Sequence, residues 1–183
     1  HKKPLRAEVK FFFIESDAAR CSHLKELLNS RYPKLPSNLH YEVECAKFDD
    51  TLSTILAYLD EKNSRIAPTF AFLDPFGFSH TPFELVVRLM KHPQCEVLIN
   101  FNYEELSRFL SVEAQWPNYT RQYGTDEWKQ ALDKGDESRK MLLHDLYRHQ
   151  LRTAASIEYV LSFEMVNRGN RHDYFLFFGT QSV

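Results

Sequence analysis

The feature that most constrains the fold of this chain is a regular alternation of short apolar segments with amphipathic ones. Short apolar runs predict β-strands, and apolar residues at intervals of three and four predict helices. The predicted strands cover residues 9–14, 41–46, 69–73 and 96–99, and the predicted helices cover 18–28, 51–59 and a segment that opens at 81–82. Because strands that alternate with helices usually form βαβ units with right-handed crossovers, we expect a parallel sheet.

The first predicted strand is apolar at every position after Lys10. A strand of this kind is typical of a sheet that is buried on both faces. The helix that follows can be capped by Ser16 or Asp17, because their side-chain oxygens accept hydrogen bonds from the first free N–H groups. We expect its buried face to consist of Ala18, Cys21, Leu24, Leu27 and Leu28.

The alternation changes after the fourth strand. Residues 103–155 form a predicted helical insertion, with interruptions at 116–118, around Gly124 and around Gly135. Two further strands, 158–166 and 173–178, close the sequence, and the Asn-Arg-Gly-Asn turn between them has the composition of a β-hairpin. We therefore predict one α/β domain over residues 1–183, with a mostly parallel, Rossmann-like sheet and a C-terminal antiparallel hairpin.

Composition excludes several classes of protein. The chain has five glycines, where average usage of about 7% would give roughly 13. It contains neither a G-x-G-x-x-G nor a G-x-x-x-x-G-K-[ST] motif, so no glycine-rich phosphate loop is predicted. A net charge of −2 gives no global reason to expect nucleic-acid binding. No apolar run approaches the ~20 residues that span a bilayer, and no signal peptide is visible.

The three cysteines, Cys21, Cys45 and Cys95, are odd in number and far apart. They form neither a C-x-x-C pair nor a zinc-binding spacing. We therefore expect reduced thiols in a cytoplasmic protein, with Cys21 and Cys95 in the core. The eight histidines are scattered, and no metal site is expected.

Polar side chains directly follow three of the predicted strands, namely Glu15, Asp74 and Asn100. In open parallel sheets, ligands bind at the carboxyl ends of the strands. The Glu15 carboxylate could accept two hydrogen bonds from the hydroxyls of a ribose. The alternative is that Glu15 only interacts with the dipole of the next helix, since no glycine loop precedes it. Phe48, just after the second strand, lies where an adenine ring would bind in a nucleotide-binding sheet.

The segment Asp74-Pro75-Phe76-Gly77 predicts a stiff turn. Pro75 fixes its own φ and favours an extended Asp74, whereas Gly77 can adopt a positive φ. The turn would present the Asp74 carboxylate beside Phe76 or Phe78, which suits a planar, amine-bearing substrate. The alternative is a tight turn in which Asp74 caps the next helix and the phenylalanines join the core.

A basic stripe is predicted on the helical insertion. His144, Arg148 and Arg152 recur at intervals of four, with Arg139 and Lys140 nearby. Such a stripe could contact the phosphates of a nucleic acid. A solvated helix face would produce the same pattern.

Several short segments follow one another in a characteristic order. They are FFFIESD, Phe48-Asp49-Asp50, FAFLDPFGF, EVLINF with Arg108-Phe109-Leu110, Tyr123-Gly124-Thr125-x-x-Trp128 and FLFFGT. In combination, and over about residues 9–180, they resemble the three-Cys-motif partner protein family of bacteria. The family is named after the protein that its members accompany, so the three cysteines of this chain are unrelated to the name.

That family is similar to Rossmann-like S-adenosylmethionine-dependent methyltransferases. The resemblance implies a seven-stranded sheet, S-adenosylmethionine as cofactor, a ribose contact from Glu15 and an adenine contact from Phe48 or Asp49. It also implies a reaction centre at Asp74, with Pro75 and Phe76 beside it. The candidate substrate-binding residues are Phe78, Asn100, Arg148 and Arg152. Family members begin with a further strand and a glycine loop of the form D-x-F-A-G-x-G, and we expect that first strand to be missing from this chain.

Three functions remain open from the sequence. The first is a methyltransferase that uses S-adenosylmethionine, with an unknown acceptor for which nucleic acid is one candidate. The second is a non-catalytic Rossmann-like partner that binds a three-cysteine-motif protein. The third, a nicotinamide-dependent oxidoreductase, would also place an acid at Glu15, but it fits the strand end at Asp74 and the closing hairpin less well.

Overall fold

The computed structural model describes residues 6–74, 81–166 and 173–182. These residues form a mixed α/β structure in which the described strands belong to two separate sheets. The chain divides into two compact units, His1–Thr54 and Ile55–Val183. Each unit is described by itself below.

The first unit contains one βαβ segment. Strand β1 (Val9–Ile14), helix α1 (Ala18–Arg31) and strand β2 (Leu39–Glu44) follow one another, and helix α2 (Phe48–Glu61) begins in this unit. The two strands are parallel, with Val9 opposite Leu39 and Ile14 opposite Glu44. Asp17 caps α1, since its Oδ1 accepts the Arg20 N–H at 2.8 Å, which confirms one of the two predicted caps.

The first unit buries few apolar side chains. In the described part of this unit, the buried ones are Cys21, Val43 and Leu52. The prediction that β1 is buried on both faces is wrong, because the exposed fractions of Phe11, Phe12 and Phe13 are 50%, 39% and 36%. An apolar run predicts a strand but does not show what covers it, and among the described strands β1 pairs only with β2. The predicted buried face of α1 is confirmed only at Cys21.

The second unit contains the larger sheet and most of the helices. After β3 (Thr69–Leu73) come α3 (Phe83–Met90), β4 (Cys95–Phe101), α4 (Tyr103–Phe109), α5 (Trp116–Tyr123), α6 (Asp136–Thr153), β5 (Tyr159–Val166) and β6 (Asp173–Thr180). Two short 3₁₀ helices, Glu113–Gln115 and Glu127–Ala131, lie within the helical insertion. No helix among the described residues is long and apolar enough to cross a membrane.

The strand order in the larger sheet is β3-β4-β6-β5. Strand β3 runs parallel to β4, whereas β6 is antiparallel to both β4 and β5. This confirms the C-terminal antiparallel pair, although the predicted turn at 167–170 lies outside the described residues. The hydrogen bonds form two sheets rather than the single sheet that was expected, and the Rossmann-like arrangement stays a prediction.

One face of the larger sheet is covered by helices. Along β4, buried and half-buried residues alternate strictly, and Cys95, Val97, Ile99 and Phe101 are the buried ones. The Phe101 ring lies 4.7 Å from that of Tyr147 on α6 and 6.0 Å from that of Tyr123 on α5, measured between centroids. Helix α3 adds its predicted buried residues, Leu85, Val86, Leu89 and Met90. This aromatic and aliphatic layer is the core of the second unit.

The opposite face of the same sheet is apolar and partly exposed. Phe72 lies opposite Leu98, Leu98 lies opposite Phe178, and Phe178 lies opposite Leu161, so one apolar row crosses all four strands. At the two ends of the row, Phe72 and Leu161 are each 55% exposed. We call these four residues the outer row.

The Tyr123-Gly124-Thr125-x-x-Trp128 segment has a structural explanation. Gly124 ends α5 in the left-handed conformation, with φ 68°, and its N–H bonds to the Thr120 carbonyl at 2.8 Å. The Trp128 ring is fully buried, and its Nε1–H donates to Thr120 Oγ1 at 3.1 Å. The segment therefore fixes the end of α5 in the core.

We predict that Gly124→Ala destabilises the protein by about 2–4 kcal/mol, because a Cβ there adds left-handed strain and overpacks the core. An added Cβ would lie 2.7 Å from Cδ1 of buried Phe83. Gly135→Ala is the control, since its Cβ would meet nothing within 4 Å. The measurement is urea unfolding of both variants. An equal effect of the two substitutions would contradict the prediction.

Candidate functional site

The carboxyl ends of β3 and β4 bring together two of the predicted site residues. Leu73 and Ile99 are opposite each other in the parallel register, so the next residues, Asp74 and Asn100, lie at the same edge of the sheet. Asp74 follows β3 as predicted, whereas Asn100 is the penultimate residue of β4, because β4 continues to Phe101 in its pairing with β6. Asn100 Nδ2 donates to Asp74 Oδ1 at 2.7 Å. An ionised carboxylate only accepts hydrogen bonds, which fixes the orientation of the Asn100 amide.

This orientation leaves the Asn100 carbonyl oxygen as an acceptor. Oδ1 of Asn100 is buried and has no hydrogen-bond partner among the described residues. A buried acceptor without a partner costs free energy, about 1–3 kcal/mol for a polar group. The Asp74 residue beside it is exposed. The strand ends therefore present a carboxylate and an amide carbonyl, a pair that suits a ligand with N–H donors.

Pro75, Phe76 and Phe78, predicted to stand beside Asp74, lie outside the described residues. Their assigned roles stay predictions.

The carboxyl end of β1 places Glu15 at the N-terminus of α1. Its Oε1 accepts the Asp17 N–H at 2.8 Å and lies 3.7 Å from Arg20 Nε. The backbone N–H of Glu15 bonds to the Glu44 carbonyl at 3.0 Å, which ties the residue to the end of β2. The contact between Glu15 and the helix N-terminus, one of the two alternatives, is thus present. Ribose binding by Glu15 stays a prediction.

Phe48 and Asp49 open helix α2 in the first unit. Both residues are half-buried. Asp49 Oδ1 accepts the Asp50 N–H at 3.1 Å, and both acids lie in the first helical turn, where negative charge is favourable. Adenine binding by Phe48 or Asp49 stays a prediction.

Cys21 and Cys45 form a disulfide, which the sequence analysis missed. The expectation of three reduced thiols is wrong for this pair, because the fold brings their Cα atoms to 5.6 Å, within the range that a disulfide needs. Cys21 lies in the first turn of α1, and Cys45 directly follows β2. Two cysteines 24 residues apart carry no local signal of such a pairing.

Cys95 is a free, buried thiol, as predicted. Burial raises its pKa, against a smaller opposite effect of the hydrogen bond with the Thr69 backbone. Its thiolate is therefore disfavoured, and nothing suggests a nucleophile at this position.

The predicted basic stripe on α6 is only partly correct. His144 is buried, with Nε2 3.0 Å from Ser162 Oγ and Nδ1 2.9 Å from Asp145 Oδ1. The ring also stacks on Phe177. Each interval of four turns the side chain by about 40° around a helix, so Arg152 lies about 80° from His144, and the His144 end of the stripe is the one that contacts Ser162 and Phe177. Arg148 and Arg152 are exposed, and they alone of the three stay candidates for phosphate contact.

The basic residues near the stripe also have other partners. Arg139 donates to the Ala131 and Lys134 carbonyls and contacts Asp136. Lys140 is buried and pairs with Glu164 on β5. These contacts hold α6 to its neighbours and reduce the positive charge available to a nucleic acid.

Three further buried polar atoms were not expected from the sequence. Thr81 Oγ1, Gln122 Oε1 and Tyr123 OH have no hydrogen-bond partner within the described ranges. Burial raises the pKa of Tyr123 well above its ordinary value, so its hydroxyl stays protonated. Polar residues at helix ends are usually exposed to solvent, so the sequence pattern did not predict that these three would be buried.

The described residues contain no group of three or more His, Cys, Asp or Glu side chains that could hold a metal ion. No protein-family model matches the chain, and neither does any curated protein.

We predict a coupling free energy of about 1.5–2 kcal/mol between Asp74 and Asn100, because a hydrogen bond to an ionised acceptor contributes more than the roughly 1 kcal/mol of one between neutral groups. The measurement is a double-mutant cycle of Asp74→Ala and Asn100→Ala in urea unfolding. The control cycle uses Gln115 and Asn118, whose side chains make a neutral hydrogen bond of the same length, 2.7 Å. A coupling no larger than that of the control would contradict the prediction.

Proposed function

We propose that this chain is a methyltransferase that uses S-adenosylmethionine and acts on an amine-bearing acceptor. The observation that carries the proposal is a pair of hydrogen-bond acceptors, the side chains of Asp74 and Asn100, at the carboxyl ends of two adjacent parallel strands. Ligands bind at this edge in open α/β sheets. The resemblance of the sequence to the three-Cys-motif partner family supplies the choice of cofactor.

The substrate that accepts the methyl group would be held by hydrogen bonds that its N–H groups donate. The Asn100 carbonyl oxygen is buried without a partner among the described residues and would gain one. Asp74, held by the Asn100 amide at 2.7 Å, would orient the acceptor nitrogen and take up its proton. Methyl transfer depends mainly on positioning the two reacting atoms in line, so a rigid pair of hydrogen-bond acceptors that orients the substrate suits it. S-adenosylmethionine supplies the electrophilic methyl group.

Glu15 would anchor the ribose of the cofactor. One of its carboxylate oxygens accepts the Asp17 N–H, and the exposed fraction of its side chain is 26%. A carboxylate has about four lone-pair positions, so this contact leaves capacity for ribose hydroxyls. Phe48 and Asp49, in the same unit, are the proposed adenine contacts.

The test is calorimetry of this chain with S-adenosylmethionine. We expect binding, and we expect Glu15→Gln to weaken it about tenfold, since a hydrogen bond to a charged group contributes about 1.5–3 kcal/mol. The matched control is Glu26→Gln, an exposed glutamate on α1. Absence of binding at about 1 mM ligand, which corresponds to about −4 kcal/mol, would refute the proposal. Equal weakening by both variants would refute the role of Glu15.

The outer row favours a second candidate, a non-catalytic partner of a three-cysteine-motif protein. Contiguous exposed apolar surface is typical of protein–protein interfaces. The outer row crosses all four strands of the larger sheet. A protein of this kind would bind its partner whether or not Asp74 is present.

This candidate can be tested with a purified three-cysteine-motif protein in biolayer interferometry. We expect Leu161→Glu to abolish binding, because a charge would be buried in the interface. Met141→Glu, at an exposed apolar residue on α6, is the control. Binding that survives Leu161→Glu would exclude the outer row as the interface.

A further inference from the structure

The Cys21–Cys45 disulfide closes a ring of bonds around the turn that carries Glu15. The Glu15 N–H bonds to the Glu44 carbonyl, and Cys45 is the next residue after Glu44. On the other side of the turn, the Cys21 N–H bonds to the Asp17 carbonyl at 2.8 Å. The disulfide joins these two ends. The β1–α1 turn is thus held by two backbone hydrogen bonds and one covalent bond.

We propose that Cys21 and Cys45 are a reversible redox site, exchanged with dithiols at Cys45, whose oxidation state sets the order of the Glu15 turn. The redox site and its effect on the order of the Glu15 turn do not depend on the function proposed above. Its consequence for ribose binding rests on that proposed function.

Packing gives the turn little other support. Apart from Cys21 itself, the buried apolar side chains in the described part of the first unit are Val43 and Leu52. Small units with a thin core depend on covalent links for their order. Reduction of the disulfide therefore removes the covalent link between the first turn of α1 and the end of β2.

The two cysteines differ in their access to solvent. Cys45 is an exposed residue, whereas Cys21 has an exposed fraction of 0%. Thiol–disulfide exchange requires the attacking thiolate to approach one sulfur along the S–S axis from outside. We therefore expect the reagent to attack Cys45 rather than the buried Cys21, which makes Cys21 the leaving group.

The exchange balances with a dithiol as the reductant. Its thiolate bonds to Cys45 Sγ, the Cys21–Cys45 bond breaks, and Cys21 leaves with the electron pair and takes up a proton. The second thiol of the reagent then attacks the mixed disulfide, and Cys45 leaves as a thiolate that is protonated in turn. Two electrons pass from the dithiol to the protein, and the reagent becomes a cyclic disulfide.

The direction of exchange can be tested on the whole chain with glutathione, a monothiol that leaves the mixed disulfide in place. We expect mass spectrometry of acid-quenched samples to find glutathione on the Cys45 peptide in at least tenfold excess over the Cys21 peptide. Cys95→Ser, which removes the buried free thiol, serves as the control and should give the same ratio. Glutathione mainly on Cys21, or no reduction of the folded protein, would overturn the proposal.

The order of the turn can be tested by hydrogen exchange in oxidised and reduced dithiothreitol. We expect the Glu15 and Cys21 amides, whose bonds lie on the ring, to exchange at least tenfold faster after reduction, and to recover on reoxidation. Amides of α6 should not change. A Cys21→Ser, Cys45→Ser double variant should match the reduced protein. Unchanged exchange of the amides at positions 15 and 21, in both the reduced protein and the double variant, would overturn the proposal.

The same samples separate this inference from the proposed function. If oxidised protein binds no S-adenosylmethionine but the amide exchange responds to reduction, the proposed function fails and the redox site stands. If the oxidised protein binds the cofactor and reduction changes neither exchange nor affinity, the redox site fails and the proposed function stands.

Discussion

The alternation of buried and half-buried residues along β4 is the constraint on which the second unit depends. Its buried side, which ends at Phe101, packs against Tyr123 and Tyr147 from two helices. Because successive side chains of a strand point to opposite faces, the same alternation puts Asn100 on the other side. There it meets Asp74 instead of the aromatic core. The packing of the core and the position of the candidate site thus follow from one strand register.

A common arrangement occurs at the carboxyl ends of both parallel strand pairs. In the second unit, the side chains of Asp74 and Asn100 bond across the strand ends. In the first unit, the Glu15 backbone bonds to Glu44 across the strand ends, which leaves the Glu15 side chain to the helix N-terminus. Glu15 follows β1 and Asp74 follows β3, and each is therefore positioned by a hydrogen bond to the neighbouring parallel strand or the residue at its end. The two places differ in the acceptors that stay free. Asn100 Oδ1 has no hydrogen-bond partner among the described residues, whereas one carboxylate oxygen of Glu15 already accepts the Asp17 N–H.

The local pattern of the sequence predicts elements better than it predicts their surroundings. Strand β3 occupies the predicted residues, and α3 buries the predicted face, since both follow from short-range periodicity. The exposure of Phe12 in β1 depends on which other elements cover the strand, and an apolar run does not contain that information. The burial of His144 likewise depends on Ser162 and Phe177, which come from two distant strands. Partners that are remote in sequence thus account for the errors.

The disulfide shows why stability and site geometry cannot be treated separately in the first unit. A unit with so few buried apolar side chains gains little free energy from packing. The bond between Cys21 and Cys45 restricts the unfolded chain and, in the folded chain, fixes the two segments that flank the Glu15 turn. Loss of this bond would therefore lower the stability of the unit and loosen the Glu15 turn at the same time. A ligand that binds the ordered turn would then bind the oxidised unit more tightly and stabilise it more than the reduced one, because the reduced turn must first lose the conformational freedom that the covalent bond already removes.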